Sequence, residues 1–312
     1  MKMWYMGSGS WGAQCLRELA RLSYNPELVI TSGPRPSGRG LRRKPNDVEE
    51  MAYWLDIEVR RSENINDDVI IKEKLMLNSP ELIVVIDFGQ KIKEPFLSTP
   101  KFGCINLHPS LLPKYRGAAP IQRAIMDGQQ ITGVTVFRLT ESLDAGPILA
   151  QDKVYIDLDD TAGTLGEKLR CRGIELLINT LDALPKGIYE FREQDESEAT
   201  YAPKITNEEA LFDFNEEALK IHNKVRALNP EPGAYTLIND KRLKVWRTKL
   251  INNDEVFAPV GTIFKIVDGF PVVACGKGAV LLLEVQREGK KVVNGRSFLN
   301  GLRLREGDVL TC

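Results

Sequence analysis

The sequence of 312 residues predicts an α/β protein, with a mostly parallel sheet in its N-terminal domain and a small β-barrel in its C-terminal domain. Two observations predict this fold class. Short apolar runs alternate with helical patterns over the first half of the chain, as expected when helices cover both faces of a parallel sheet. Between residues 261 and 286, glycine turns separate short apolar runs instead, which is typical of antiparallel hairpins.

The individual elements follow from the same patterns. Strands are predicted at 2–6, 27–31, 81–86, 103–107 and 132–139, and helices near 11–23, 46–55, 67–77, 119–127, 161–183 and 214–227. The run 81–86 is apolar after its first residue, as expected for a strand that is buried on both faces. A polar, acidic stretch then interrupts the pattern. We therefore expect a first domain over 1–188, a linker over 189–206 and a second domain over 207–312.

A glycine turn follows the first predicted strand. Gly7, Gly9 and Gly12 have the spacing G-x-G-x-x-G, which marks dinucleotide-binding turns in Rossmann-like folds. A nicotinamide site normally also has an acidic residue about 20 residues further on, at the tip of the second strand. Here that strand ends at Thr31 without a carboxylate, and a basic loop begins. We interpret the turn as a tight strand-to-helix connection in a Rossmann-like sheet, without NAD.

Basic residues are concentrated in two places, although the net charge of the whole chain is −1. Between Lys241 and Arg305 there are 13 Lys and Arg residues against five Asp and Glu residues. A second cluster lies within ten residues of a loop rich in Gly and Pro, predicted to be long, exposed and irregular: Arg35, Arg39, Arg42, Arg43 and Lys44. Two basic zones on a nearly neutral chain indicate an anionic partner.

Other bulk features predict the environment of the protein. No apolar run reaches the roughly 18 residues that a membrane span needs, and the N-terminus lacks the long apolar core of a secretory signal. The five cysteines are widely separated and show no metal-binding spacing. We therefore expect a cytoplasmic protein without structural zinc or disulfides.

The stretch from residue 103 to 125 carries the chemistry. Asn106 and His108 lie two residues apart at the end of a predicted strand, so their side chains share one face. Ligands of open α/β sheets bind at such strand ends. An amide and an imidazole together can stabilise an oxyanion and transfer a proton, which suits acyl transfer through a tetrahedral intermediate. The only other histidine, His222, lies on a predicted helix, where we expect a surface or packing role.

A carboxylate is needed to orient the histidine and favour its charged form. Several acids are available, and Asp144 is the favoured one because it lies in an Asp-Ala-Gly-Pro turn just after the strand at 132–139. No G-x-S-x-G motif supplies a serine nucleophile. The acyl group is therefore expected to pass directly to a bound acceptor.

The chain resembles the methionyl-tRNA formyltransferase family over both predicted domains. The segments that carry the resemblance are NLHPSLLPKYRGAAPIQRAI, TGVTVFRLTESLDAGPILAQ, YAPKI, NPEPGAY and FLNGLRLREGD, in the order and at the spacing of that family. The Asn-x-His pair with its Asp resembles the centre of all enzymes that use 10-formyltetrahydrofolate. The C-terminal half is what resembles the tRNA enzyme in particular.

The resemblance implies roles for individual residues. Asn106, His108 and Asp144 correspond to the catalytic trio. The folate site is implied to include Ser110, Leu111, Leu112 and Pro113, with a cis Leu112–Pro113 bond, and Phe88, Gly89 and Gln90. The C-terminal domain is implied to be an OB-like barrel whose basic face binds RNA. The implied contacts to the acceptor end of initiator Met-tRNA are Arg35, Arg39, Arg42, Arg43, Lys44 and Lys204.

We therefore predict a monomeric enzyme that formylates methionyl-tRNA with 10-formyltetrahydrofolate and needs no metal. Three alternatives remain open. The acceptor could be a small amine, such as a nucleotide or an amino sugar. The chain could bind tRNA without catalysis, or it could be a nicotinamide oxidoreductase that uses the glycine turn.

Overall fold

A computed structural model of the chain describes residues 1–33, 36–37, 42–251 and 258–310, with only the backbone at 36–37 and 42–43. The chain divides into two compact units by its internal contacts. The first unit comprises Met1–Gly117, Thr132–Val154 and Lys168–Tyr201. The second comprises Ala118–Ile131, Tyr155–Glu167 and Ala202–Cys312. The predicted linker 189–206 is thus shared between them.

The strands up to residue 155 are β1 (Met3–Gly7), β2 (Leu28–Thr31), β3 (Pro36–Ser37), β4 (Arg42–Arg43), β5 (Val59–Arg61), β6 (Leu82–Ile86), β7 (Cys104–His108), β8 (Ile131–Arg138) and β9 (Ile148–Tyr155). The helices up to residue 183 are α1 (Ser10–Arg21), α2 (Asp47–Trp54), α3 (Val69–Leu77), α4 (Pro120–Met126) and α5 (Ala162–Ala183). All five predicted strands of this region are present. β5 and β9 are additional, and the basic loop contains the short β3–β4 hairpin instead of being wholly irregular.

Seven strands form one sheet in the order β5-β2-β1-β6-β7-β8-β9. The first five of these run parallel, and β8 pairs antiparallel to β7. Because the chain moves outward from β1 to β2 and β5 and then returns to β6 on the other side, the strand order reverses between β1 and β6. Ligands of doubly wound sheets bind at the carboxyl ends of the strands at such a reversal.

Helices cover both faces of the parallel strands. On one face, Trp4 and Met6 of β1 join a buried cluster with Ile71 and Leu75 of α3. On the other face, the Tyr5 hydroxyl donates a 2.6 Å hydrogen bond to the carbonyl of Gly12 in α1. Successive side chains of β1 thus lie on opposite faces of the sheet, and both faces are buried. This is why the strand is apolar throughout. The mostly parallel α/β sheet expected from the sequence is confirmed.

The second unit contains an antiparallel sheet built from the remaining strands, which are β10 (Tyr235–Ile238), β11 (Lys241–Ile251), β12 (Ile263–Val267), β13 (Phe270–Ala274), β14 (Ala279–Arg287) and β15 (Val293–Asn294). The order is β10-β11-β14-β13-β12, with β15 also paired to β14. Two helices, α6 (Ala218–Ala227) and α7 (Gly295–Leu302), contribute Ile221, Val225 and Phe298 to the core of this unit. The predicted antiparallel C-terminal domain is confirmed.

Candidate active site

Asn106 and His108 lie at the carboxyl end of β7, as the sequence predicts. Both residues belong to the strand, so their side chains share one face of the sheet. His108 is buried, with 5% of the residue exposed, whereas Asn106 is half-buried. Within the described part of the chain the Asn106 amide makes no hydrogen bond, which leaves its donor and acceptor atoms available to a substrate.

A backbone carbonyl fixes the tautomer of His108. The Nε2 atom lies 2.9 Å from the carbonyl oxygen of Tyr115. A carbonyl oxygen only accepts hydrogen bonds, so Nε2 must carry the hydrogen. Proton exchange on His108 is thereby assigned to Nδ1. Tyr115 itself adopts a left-handed backbone conformation with φ of 60°, which is uncommon for a residue with a bulky side chain.

Asp144 faces the Nδ1 side of His108. Its Oδ2 atom lies 3.8 Å from Nδ1 and accepts a 2.8 Å hydrogen bond from the backbone N–H of Gly117. The Asp144 backbone is also left-handed, with φ of 47°. Such conformations persist only where neighbouring contacts enforce them, and they are frequent at functional sites. The structure thus places the Asp144 carboxylate beside His108, which shares a strand face with Asn106.

The side chain of Thr135 stabilises the turn after His108 through hydrogen bonds. The Thr135 hydroxyl donates to the carbonyl of Ser110 at 2.7 Å and accepts from the N–H of Leu112 at 3.2 Å. The amide of Gln151 donates to the Leu112 carbonyl at 2.7 Å. The Leu112–Pro113 peptide bond is cis, as expected. Leu112 is buried, and half-buried Leu111 packs beside Gly133. Contacts between this turn and the folate remain a prediction.

The second segment predicted to contact the folate follows β6. Phe88 is buried in the core of the first unit, and Gly89 has the left-handed φ of 73°. The side chain of Gln90 accepts from the N–H of Ile65 at 2.8 Å and donates to the carbonyl of Ser62 at 2.8 Å. These two bonds hold the loop after β5. Contacts of Phe88, Gly89 and Gln90 with a ligand stay predictions.

A cavity of about 340 Å³ lies where the strand order reverses. Its walls come from the residues that follow β1, β2 and β6, and they include Ser8, Ser32, Lys44, Asp87 and Gly89. Since β6 pairs with β7 through Val85 and Asn106, the cavity lies at the end of the strand next to β7, and its lining residues include none of Asn106, His108 and Asp144. This is the position that the strand order favours for a ligand.

The glycine turn packs against β6 and Asp87. A Cβ atom at Gly12 would lie 2.7 Å from the carbonyl oxygen of Ile86, and one at Gly7 would lie 2.8 Å from the same atom. The Asp87 carboxylate accepts a hydrogen bond from the N–H of Gly12 in the first turn of α1. Desolvation of this carboxylate nevertheless raises the pKa of Asp87, although the residue is open to solvent on its cavity side. A negative charge at this helix N-terminus disfavours a dinucleotide phosphate there.

The predicted tRNA-binding residues are only partly described. Arg35 and Arg39 lie outside the described residues, and the side chains of Arg42 and Arg43 do as well. Lys44 is exposed and borders the cavity. Lys204 is exposed in the second unit.

His222 is a buried packing residue rather than a surface residue. Its Nδ1 lies 2.8 Å from the hydroxyl of Thr248, and its Nε2 lies 3.3 Å from the carbonyl of Leu158. Burial lowers the pKa of His222, and the positive charge of Arg226 adds to this effect. His222 therefore belongs to the core of the second unit.

Several residues that hold the site were not found from the sequence. Tyr115 and Gly117 act through backbone atoms, which carry no residue-type signal. Arg116 lies between them and is itself buried by a segment about 80 residues further along the chain. The charged type of Arg116 within an otherwise small and apolar run, RGAAPI, is the one signal that could have drawn attention to it.

The described residues lack two further kinds of feature. None of their helices is long and apolar enough to cross a membrane. Among the same residues, no three His, Cys, Asp or Glu side chains are grouped so that they could hold a metal ion.

Comparison with known families covers nearly all of the chain. The family model described as formyl transferase matches residues 1–181, and the model described as formyl transferase, C-terminal domain, matches residues 204–303. Among solved structures, the chain is similar to an N-formyltransferase from Helicobacter canadensis in complex with folinic acid and dTDP-3-aminofucose. The TM-score is 0.67 at 20% identity, over 92% of this chain and 99% of the other. At that identity the similarity concerns the fold.

Closer relatives extend over the full length. The chain is 37% identical to the methionyl-tRNA formyltransferase of Agathobacter rectalis over 311 residues, with both chains covered completely. It is 40% identical to the methionyl-tRNA formyltransferase of Halalkalibacterium halodurans, over 99% of this chain and 98% of the relative. With both domain models matched in order and identities at this level over the whole length, the chain belongs to the methionyl-tRNA formyltransferase family.

Proposed function

We propose that this protein transfers the formyl group of 10-formyltetrahydrofolate to the α-amino group of methionyl-tRNA. The observation that carries the proposal is the Asp144 carboxylate beside His108 at the end of β7, with Asn106 on the same face of that strand, in a chain similar over its full length to enzymes of that name. A cytoplasmic monomer suffices for this activity, since all three side chains come from one unit of one chain.

The reaction begins with attack of the free amine on the formyl carbon. An α-amino group titrates near pH 8, so a useful fraction is unprotonated at neutral pH. The attack converts the formyl oxygen into an oxyanion. The Asn106 amide and the Nδ1–H of protonated His108 are the two donors that stabilise it. His108 keeps Nδ1 available because Nε2–H is already bonded to the Tyr115 carbonyl.

The intermediate collapses when the bond between the formyl carbon and N10 of the folate breaks. The attacking amine loses one proton and N10 gains one, so the products are formylmethionyl-tRNA and tetrahydrofolate. Asp144 receives the amine proton, because its Oδ2 atom lies beside the Nδ1 face of His108. The N–H of Gly117 holds that oxygen in place.

The substrates are placed by the residues around this centre. The cavity of about 340 Å³ borders Phe88 and Gly89, which we assign to the folate, and Lys44, which we assign to the tRNA. We assign further folate contacts to Ser110, Leu111, Leu112, Pro113 and Gln90. The other tRNA contacts that we propose are Arg35, Arg39, Arg42, Arg43 and Lys204.

An acceptor panel tests the proposal. The purified protein is incubated with 10-formyltetrahydrofolate and, separately, initiator Met-tRNA, an amino-sugar nucleotide and a glycinamide nucleotide. We expect formylation of the tRNA, and a loss of about 10²–10³-fold in kcat for Asn106→Ala or His108→Ala. Product on a small amine but none on Met-tRNA would overturn the acceptor assignment. Near-normal turnover of both variants would overturn the mechanism.

A further inference from the structure

The stretch from Tyr115 to Gly117 connects both halves of the candidate catalytic pair. The Tyr115 carbonyl accepts from His108 Nε2 at 2.9 Å, and the Gly117 N–H donates to Asp144 Oδ2 at 2.8 Å. Arg116 lies between these two residues. A displacement of Arg116 therefore moves both the Tyr115 carbonyl that holds His108 and the Gly117 N–H that holds Asp144.

Arg116 is anchored by a segment far away in sequence. Its guanidinium donates to the side-chain amide oxygen Oε1 of Gln194 at 3.1 and 2.8 Å, and to the Glu196 carboxylate at 2.9 and 2.7 Å. Only 2% of the Arg116 side chain is exposed, against 67% of the Glu196 side chain. The ion pair with Glu196 raises the pKa of Arg116, which keeps this buried cation charged.

Gln194 also reaches the turn that carries Asp144. Its amide nitrogen donates to the carbonyl of Asp144 at 2.8 Å and to the carbonyl of Gly146 at 2.7 Å. The side-chain amide of Gln194 thus bonds the backbone of the Asp144 turn through its nitrogen and Arg116 through its oxygen. Gln194 is half-buried, so these bonds are partly shielded from competing water.

The same segment adds a third attachment. The Thr200 hydroxyl accepts from the Tyr115 N–H at 2.8 Å, and the Thr200 carbonyl accepts from the Arg116 N–H at 2.8 Å. The Thr200 N–H donates to the Pro113 carbonyl at 3.2 Å. We name the segment 191–200 the strap. It lies between the two matched family domains, which end at residue 181 and begin at residue 204.

We propose that the strap is part of the catalytic machinery, with Gln194 and Arg116 as positioning residues that fix the separation between His108 and Asp144. The proposal rests on the formyl-transfer function proposed above. Gln194 holds the Asp144 turn, Arg116 holds the stretch that bonds His108, and their mutual contact joins the two. A displacement of about 1 Å at a reacting group can cost on the order of 10²-fold in rate.

The test compares Gln194→Ala with Glu193→Ala in the full-length protein. Glu193 is the exposed neighbour in the same strap and makes no hydrogen bond with the described residues, so it is the matched control. For Gln194→Ala we expect kcat to fall about 10–100-fold with both KM values within about twofold of wild type. We also expect the pH profile of kcat to shift, because the relation between His108 and Asp144 changes.

A second variant reports on the other end of the contact. Arg116→Lys keeps a cation for Glu196 but cannot form the fork of hydrogen bonds, so a partial loss of kcat is expected. If this variant does not fold, Gln194→Ala alone still decides the proposal. Thermal melting measures the folded fraction, so that kcat is expressed per folded molecule.

The outcomes are distinguishable. Wild-type protein that fails to formylate Met-tRNA overturns the proposed function itself. Active wild-type protein with Gln194→Ala equal to Glu193→Ala in kcat and pH profile overturns the role of the strap. A rise in KM alone, or a loss of activity that only follows the folded fraction, overturns it as well.

Discussion

The Nδ1 atom of His108 and the Oδ2 atom of Asp144 lie 3.8 Å apart, which is beyond a direct hydrogen bond. Each group is held by a backbone atom instead of by the other. The Tyr115 carbonyl fixes the imidazole, and the Gly117 N–H fixes the carboxylate. Both groups therefore keep a free position for a third partner at their side, and the proposed mechanism places the attacking amine and the formyl oxygen there.

Asp144→Asn removes the charge and the proton acceptor while preserving the shape. The amide oxygen of the new side chain still accepts from the Gly117 N–H, so folding is retained. We expect kcat to fall about 10²-fold or more, the ordinary contribution of a positioned acid or base. Single-turnover formylation of Met-tRNA measures this. Glu141→Gln, an exposed carboxylate three residues earlier, is the control, and equal rates for the two variants would contradict the role of Asp144.

Gly9→Ala is expected to destabilise the protein through Asp87. A Cβ atom at Gly9 would lie 1.8 Å from Oδ2 of Asp87, so the carboxylate must leave the N–H of Gly12. Loss of a side-chain hydrogen bond to a helix N-terminus costs about 0.5–2 kcal/mol of unfolding free energy. Urea denaturation of the single variant measures the loss.

The double variant Gly9→Ala with Asp87→Ala is the control for that clash. Because the backbone of Gly9 has the ordinary extended φ of −86°, alanine fits there once the carboxylate is gone. The loss caused by Gly9→Ala should therefore shrink in the Asp87→Ala background, which is a coupling between the two sites. Additive losses would show that the clash is relieved in another way.

Lys44→Ala and Lys204→Ala are expected to weaken binding of Met-tRNA without changing the KM of the folate. Each exposed lysine that contacts a phosphate releases about one counterion, so each loss reduces the salt dependence of log K by about one unit of slope. Binding of tRNA across a salt series measures that slope. Lys186→Ala is the control, since Lys186 lies with Met1 and Met3 at the opposite, amino end of β1. If the slope for one variant equals that of wild type, the lysine replaced in that variant does not contact the tRNA.

His222 makes the stability of the second unit dependent on pH. Its pKa is lowered by burial in the folded protein from the ordinary value of 6.5, so the unfolded chain binds more protons in the window below that value. The contribution of His222 to stability is therefore fully present above pH 6.5 and is lost as the pH falls toward its lowered pKa. Melting temperatures at pH 7.5 and 5.5 should differ more for wild type than for His222→Gln. Parallel pH curves for the two proteins would contradict this.

The sequence predicted the elements that have one dominant pattern. The apolar runs of β1 and β6 and the helices between them were all expected. β5 was missed because its residues Val59–Arg61 are mostly polar and exposed at the sheet edge. β9 was missed because its eight residues mix apolar and polar side chains without strict alternation. A strand was therefore predicted where its apolar side chains follow a regular pattern, and the length of the strand did not decide this.

The same limit applies to the candidate site. The placement of Asn106 and His108 at a strand end, and of Asp144 near His108, was predictable from residue type and position, whereas their catalytic roles stay predictions. The tautomer of His108 depends on a carbonyl oxygen, and every residue has one. Gln194 joins the site from a polar stretch whose composition is typical of a linker. Its role depends on chain topology, which brings residues 50 positions apart to within 2.8 Å.

The strap changes where the catalytic half of this chain can be cut. A shortened protein that ends at residue 188 retains Asn106, His108 and Asp144 but lacks Gln194, and with it the bonds that hold Arg116 and the Asp144 turn. An inactive fragment of that length would not prove that the second unit takes part in catalysis. A fragment for that purpose must extend through Tyr201, the last residue of the first unit.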